Sequence, residues 1–181
     1  TGEIIIKAKV PEDLDSVDSN FMEAAFDIGT LTVTSNEAIT TTNMHTSQFI
    51  VYMQRENKLE INDADAKING KDKQNIDSGD EIDNLKPGDN IELTIEAENL
   101  YDDDTNLDIE DVEIEIECDE EDDLDFDDQT QDMGDISPED EETESIKFDL
   151  ENDANDGSTT CTIKLSGDDE NGALHGQSFD F

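Results

Sequence analysis

A strict two-residue alternation of apolar and acidic side chains predicts an all-β chain built as an antiparallel β-sandwich. The clearest instance sets Ile91, Leu93, Ile95 and Ala97 against Glu92, Thr94, Glu96 and Glu98, the pattern of a strand with one face on a core and the other in water. Val112, Ile114, Ile116 and Cys118 alternate with Glu113, Glu115 and Glu117 in the same way. Further short alternations separated by turn signals, with no helical period between them, complete the signature of a sandwich.

Taken in order, residues 3–10 (Glu-Ile-Ile-Ile-Lys-Ala-Lys-Val) form an apolar, β-branched run that stops at Pro11, and they read as a strand. Leu14, Val17, Phe21, Met22, Ala25 and Phe26 recur at spacings of three and four, which fits a short amphipathic helix or turn over Asp18–Ala25. Thr30–Thr34 alternate, residues 38–42 do so more weakly, and Gln48–Gln54 form the most apolar strand of the N-terminal part. Arg55–Lys58 read as a polar link.

A second unit begins at Leu59 and Ile61, continues through Ala64, Ala66 and Ile68, and turns at Asn69-Gly70, a strong hairpin signal. Ile82 and Leu85 read as a short edge piece between two turns. Lys86-Pro87-Gly88-Asp89 is the turn that launches the strand at Ile91, since Pro presets one dihedral and Gly supplies a conformation that other residues resist. The acidic stretch 119–143 offers Leu124, Phe126, Met133 and Ile136 as anchors. Ile146, Phe148 and Leu150 alternate again, as do Cys161, Ile163 and Leu165, and a last strand starts near Ala173. The domain reading is a β-rich segment or small domain over 1–56 and a sandwich over 57–181. The closing Gln177–Phe181 alternation reads as a strand cut in its middle, so that a membrane anchor or further domains beyond residue 181 would be invisible in this sequence.

Of 181 residues, 53 are acidic and 10 basic, a net charge of -43, with 32% hydrophobic and 5% aromatic content. Arg55 is the single arginine. Nucleic acid is excluded as a direct partner because phosphate binding needs Lys and Arg to displace counterions, and an anionic membrane surface is excluded on the same ground. Such charge and low hydrophobicity also mark disordered chains. The repeated period-two segments favour a folded one. Carboxylate repulsion destabilises a compact state in dilute salt, whereas at molar salt the screening length falls to about 3 Å. The composition therefore suits a protein adapted to high salt, the alternative being an ordinary acidic surface protein that binds calcium.

Cys118 shares a strand face with Val112, Ile114 and Ile116, and Cys161 shares one with Ile163 and Leu165. One cysteine ends its strand and the other begins its own. On antiparallel neighbours an end meets a start, which brings the two within bridging range. The reading favours a disulfide, fitting an oxidising compartment, over two buried free thiols.

Catalytic signals are absent. No P-loop, G-x-G-x-x-G or G-x-S-x-G pattern occurs. His45 and His175 stand alone, beside no Ser or Cys nucleophile and in no zinc spacing. Cofactors are expected to be none, with calcium left open because it takes six to eight oxygens. Its candidate ligands are Asp102, Asp103, Asp104, Asn106 and Asp108, or the Asp119–Asp128 run. Neither matches an EF-hand, and solvated, cation-decorated loops are the alternative.

The phrases Leu85-Lys-Pro-Gly-Asp89, Ile91–Leu100, Ile109–Ile116, Ile146–Leu150, Cys161–Leu165 and Gly167–Gly172 resemble the immunoglobulin-like modules of archaeal and bacterial cell-surface proteins, the CARDB-type and S-layer-associated repeats. The resemblance covers residues 59–181. The cysteine pair departs from that pattern, and Ser137-Pro138-Glu139-Asp140 stands where a second proline-glycine turn is expected. Residues 1–56 carry no such likeness. The resemblance implies an Ig-like sandwich, an extracellular or cell-surface location, a role in spacing, adhesion or assembly, and no catalysis. The expected function is a structural subunit of a surface layer, sheath or filament in a salt-loving archaeal cell. The alternative is a calcium-dependent adhesion or ligand-binding module within a longer surface protein. Expected partners are other copies of the chain or other surface proteins, and Ile4, Ile5, Ile6 and Val10 are the residues of a strand added to a neighbour's sheet edge.

Overall fold

The structure, a computed structural model, describes residues 5–36, 44–119, 123–155 and 157–181. Ile4, the weak alternation at 38–42 and residues 120–122 of the acidic run lie outside them. The protein is all-β. β1 (Ala25–Asn36) and β2 (Met44–Gln54) pair as a two-stranded antiparallel ribbon. Nine further strands form two sheets: β3 (Leu59–Ile68), β4 (Lys71–Asn75), β5 (Asn90–Asn99), β6 (Ile109–Cys118), β7 (Leu124–Phe126), β8 (Thr130–Ile136), β9 (Glu141–Leu150), β10 (Cys161–Asp169) and β11 (Leu174–Asp180). One sheet runs β4-β3-β5-β9-β7 and the other β11-β10-β6-β8.

This is the immunoglobulin order, with β3, β5 and β9 in the A, B and E places and β6, β10 and β11 in the C, F and G places. Its departure lies in the acidic middle. β7 crosses to the edge of the β9 sheet before the chain returns as β8 beside β6. The anchors explain both excursions, because Met133 and Ile136 are buried while Leu124 and Phe126 pack against the core.

The alternations of β5 and β6 point as their period requires. Ile91, Leu93, Ile95 and Ala97 are buried against Ile109, Val112, Ile114 and Ile116 of the opposite sheet. In-register partners extend each row, as in Leu93 with Ile146 and Ile114 with Leu165. β3 keeps its inward face only by a bulge between Ile61 and Asp63, which shifts the pattern so that Ala64 and Ala66 are buried. On the wet side, Glu92 lies between its cross-strand partners Lys67 (3.6 Å) and Lys147 (3.2 Å). Elsewhere acids face acids, as in Glu98 opposite Glu141 and Asp168 opposite Glu110, pairs that repel in the absence of screening.

Two expectations are corrected and one is narrowed. Residues 5–10 form no strand and pair with none among the described residues. Of the helix-or-turn reading over Asp18–Ala25 the structure takes the turn: the Asp18 carboxylate accepts the Asn20 and Met22 N–H groups, closing a turn in which Val17 bridges Glu23. Ile82 and Leu85 belong to a loop packed against the core, and the edge of that sheet is β4 instead.

Cys118 and Cys161 are register partners on β6 and β10 and form a disulfide with a Cα separation of 4.0 Å. Cys161 exchanges both backbone hydrogen bonds with Phe181, so its facing pair with Cys118 is the narrow, non-hydrogen-bonded kind in which side chains lie closest. Ser137–Asp140 does close the turn before β9, through the Asp140 N–H to the Ser137 carbonyl at 3.1 Å. It does so with Glu139 at φ 60, whereas the corresponding position of the Lys86–Asp89 turn is Gly88 at φ 84.

Two outcomes follow. Replacing both cysteines with serine releases a loop spanning 43 residues, and the loss of chain constraint lowers unfolding free energy by about 4 kcal/mol, read from denaturant midpoints in molar salt. Glu139→Gly relieves a left-handed backbone and raises stability by about 0.5–1 kcal/mol in the same assay.

Candidate functional site: an unpaired N-terminal segment held by a buried junction

The chain before β1 reaches the sandwich as an added edge. The Ser16 N–H bonds the Leu174 carbonyl at 2.9 Å, the Asp15 carboxylate accepts the Leu174 N–H at 3.1 Å, and Ser178 Oγ donates to the Asn20 carbonyl at 2.8 Å. Gly176 permits the approach, since a Cβ there would collide with the Leu165 carbonyl and lie 3.1 Å from the Phe21 ring. Only Ser16 and Val17 are buried among the described residues before Leu59. This part therefore has no core of its own and is held through its base.

The base is a buried polar junction. Arg55 donates to the Glu12 carbonyl, to Asp169 Oδ2 and to Tyr101 Oη (2.7 Å for the last), so one guanidinium ties the N-terminal segment to both sheets. Tyr101 Oη donates to Asp169 Oδ2 at 2.8 Å and lies 3.2 Å from His175 Nε2. His175 Nδ1 accepts the Lys58 N–H at 3.0 Å, which leaves the imidazole proton on Nε2, aimed at Tyr101. Burial opposes ionisation of Asp169, but bonds from Tyr101, the Ala173 and Asn171 N–H groups and the Arg55 charge outweigh it and hold the carboxyl below its ordinary range. Burial, reinforced by the nearby Asp169 carboxylate, pushes the Tyr101 phenol up to about 12. Burial and then the Arg55 charge push His175 down to about 4.

Ser16 Oγ lies 3.0 Å from His175 Nδ1 and Asp169 Oδ2 lies 3.6 Å from Nε2, an arrangement that superficially resembles a serine nucleophile, base and acid. Its chemistry differs. Nδ1 already accepts the Lys58 N–H, the Leu174 carbonyl 2.9 Å away takes the serine proton, and Ser16, Asp169 and His175 are at most 1% exposed. The trio is a bracket closed to substrate. Sequence reading missed it because its members come from separate segments; the one signal available was a lone arginine in a chain with 53 carboxyl groups.

Of the predicted assembly residues, Ile5, Ile6 and Val10 are 71%, 57% and 39% exposed on a segment outside any strand. The Lys9 ammonium meets Glu12 at 2.5 Å near the point where the segment joins the junction. Asp102, Asp103, Asp104 and Asn106 lie on an exposed single 3-10 turn, with Asn106 left-handed, and Asp108 follows it. Among the described residues no three His, Cys, Asp or Glu side chains converge as a metal site. A cleft of about 680 Å³ opens at the Cys161 end of the sandwich, floored by Leu85, Leu124, Phe148, Leu150 and Phe181.

The junction makes folding pH-dependent in a defined direction. His175 has a lower pKa folded than unfolded, so its contribution is complete above about pH 6.5 and is lost as the pH falls from there through about 4. The loss amounts to at most about 3 kcal/mol. Following the imidazole resonance and the unfolding midpoint across that interval checks both the window and the sign.

No protein-family model matches the chain, and no curated protein matches it.

Proposed function

We propose that this protein is a non-catalytic, extracellular structural subunit, part of a surface layer, sheath or filament of a salt-loving archaeal cell. The observation that carries the reading is the Ile5–Val10 segment: strand-forming in composition, exposed and paired with no strand among the described residues, on a sandwich that fills its own core without it. Adding such a strand to the edge of a neighbour's sheet satisfies its backbone groups and covers its isoleucines. Lys7 and Lys9 give the segment a positive charge suited to an acidic edge. The disulfide supports an oxidising compartment. The likeness to CARDB-type and S-layer-associated modules belongs to the same proposal.

Net charge sets the condition. At -43 two copies repel strongly in dilute buffer, and screening at molar salt shortens that repulsion to about 3 Å. Negative-stain electron microscopy of the purified protein in molar sodium chloride is the test. Regular filaments, tubes or sheets are expected, and a variant lacking residues 1–10 is expected to stay folded and dispersed. Dispersed wild-type particles overturn the structural role, and unchanged assembly of the shortened chain overturns the strand route.

A further inference from the structure

We infer that the β1–β2 ribbon is a self-association surface whose apolar face packs against the same face of a second copy of this chain. The inference rests on the self-assembling reading above but uses a different part of the molecule.

Register assigns the faces. Phe26 pairs with Met53, Gly29 with Val51 and Leu31 with Phe49, so these side chains and Val33 share one side. Asp27 with Tyr52, Thr30 with Ile50, Thr32 with Gln48 and Thr34 with Thr46 make up the other, which is mostly polar but also exposes Ile50 and Tyr52, and Gln48 Nε2 reaches Thr32 Oγ1 at 3.5 Å across it. The bulge at Ile28 keeps the apolar row in phase along both strands. None of these residues belongs to the sandwich core or to the partly buried residues packed on it, and Phe49 is 56% exposed. A two-stranded ribbon whose apolar row is half-buried at Phe26, Leu31, Val33, Val51 and Met53 and exposed at Phe49 is at best marginally stable alone, so this one is a surface prepared for a partner.

Charge selects the partner. From Ala25 to Gln54 the sequence holds two formally charged residues, Asp27 and Glu37, in a chain that carries 53 acidic residues. A basic partner would be drawn to the carboxylate-covered sandwich and would find no counter-charge on the apolar row. A second copy, by contrast, meets strong repulsion at its sandwich faces and almost none here. The neutral ribbon is thus the place where two copies of so acidic a protein approach most easily, and its apolar row complements its own kind.

Size sets the strength. Eleven residues of β2 at ~3.4 Å each give a face roughly 37 Å long, and two strands ~4.8 Å apart give it a width of roughly 10 Å. Two such faces bury less than the ~800 Å² per partner of a stable complex. The contact is therefore reversible in isolation and gains strength when many copies are already linked.

Sedimentation equilibrium in molar sodium chloride tests this on the full chain and on the chain lacking residues 1–10, of which the described residues 5–10 contribute nothing to the hydrophobic core. The shortened chain is expected to show a concentration-dependent dimer. The double substitution Leu31→Asp with Phe49→Asp is expected to raise its dissociation constant at least about tenfold, a loss typical of central interface side chains. Thr32→Asp, on the opposite face, is expected to keep the dimer, and far-UV circular dichroism confirms that each variant is folded. A shortened chain that stays monomeric, a dimer that survives the double substitution, or equal loss with Thr32→Asp overturns the inference. A full chain that forms no polymer while the shortened one dimerises overturns the preceding strand route and supports the ribbon contact. Polymers without a dimer of the shortened chain do the reverse.

Discussion

The pleat of the β-strand is the constraint on which this molecule depends. Each strand of the sandwich must dehydrate one row of side chains completely while its neighbours, one residue away, carry carboxylates into water. Period two makes that separation automatic, and it lets a chain with 32% hydrophobic residues still assemble a core of Ile, Leu and Val at or near zero exposure. The cost appears on the outer faces. Acids stand opposite acids at Glu98–Glu141 and Asp168–Glu110, and the few lysines are set where they separate carboxylates, as Lys164 does between Glu115 and Glu117. A fold balanced in this way draws its stability from the core and its tolerance of charge from the ions around it.

Arg55 makes the opposite use of charge. It is the only guanidinium in the chain, and it is spent inside, on Asp169, Tyr101 and the Glu12 carbonyl. A planar fork of donors can serve three acceptors from three segments at once, which an ammonium cannot do with the same geometry. Because the histidine beside it is neutral and the guanidinium is paired with the Asp169 carboxylate, the junction does not bury an uncompensated charge. It fixes the base of the N-terminal part while leaving Ile5–Val10 and the β1–β2 ribbon outside the core. Rigidity at the base and apolar surface beyond it belong to the same design.

These two apolar features lie in the part of the chain with the least acid. The sandwich is coated in carboxylates, whereas the ribbon is nearly neutral and the first segment carries lysines. Charge thus divides the molecule into a strongly acidic surface and a nearly neutral one, a contrast that screening by salt softens.

What the sequence by itself determined is what local periodicity controls. The faces of β5, β6, β9 and β10, the turns at Asn69-Gly70 and Pro87-Gly88, and the shared phase of Cys118 and Cys161 could all be read from residues within a few positions of one another, because a strand's inward and outward sides are set by its own pleat. The tertiary structure alone decided three things. It chose the turn over the helix that the spacing after Asp13 also allowed, since the Asp18 side chain captures the Asn20 and Met22 N–H groups. It gave the acidic stretch two strands on different sheets, since Leu124 and Phe126 find one edge and Met133 and Ile136 another. It brought Ser16, Arg55, Tyr101, Asp169 and His175 together from positions up to 159 residues apart. No short window of sequence encodes that junction, because its hydrogen bonds form between side chains whose meeting is arranged by the packing of every strand between them.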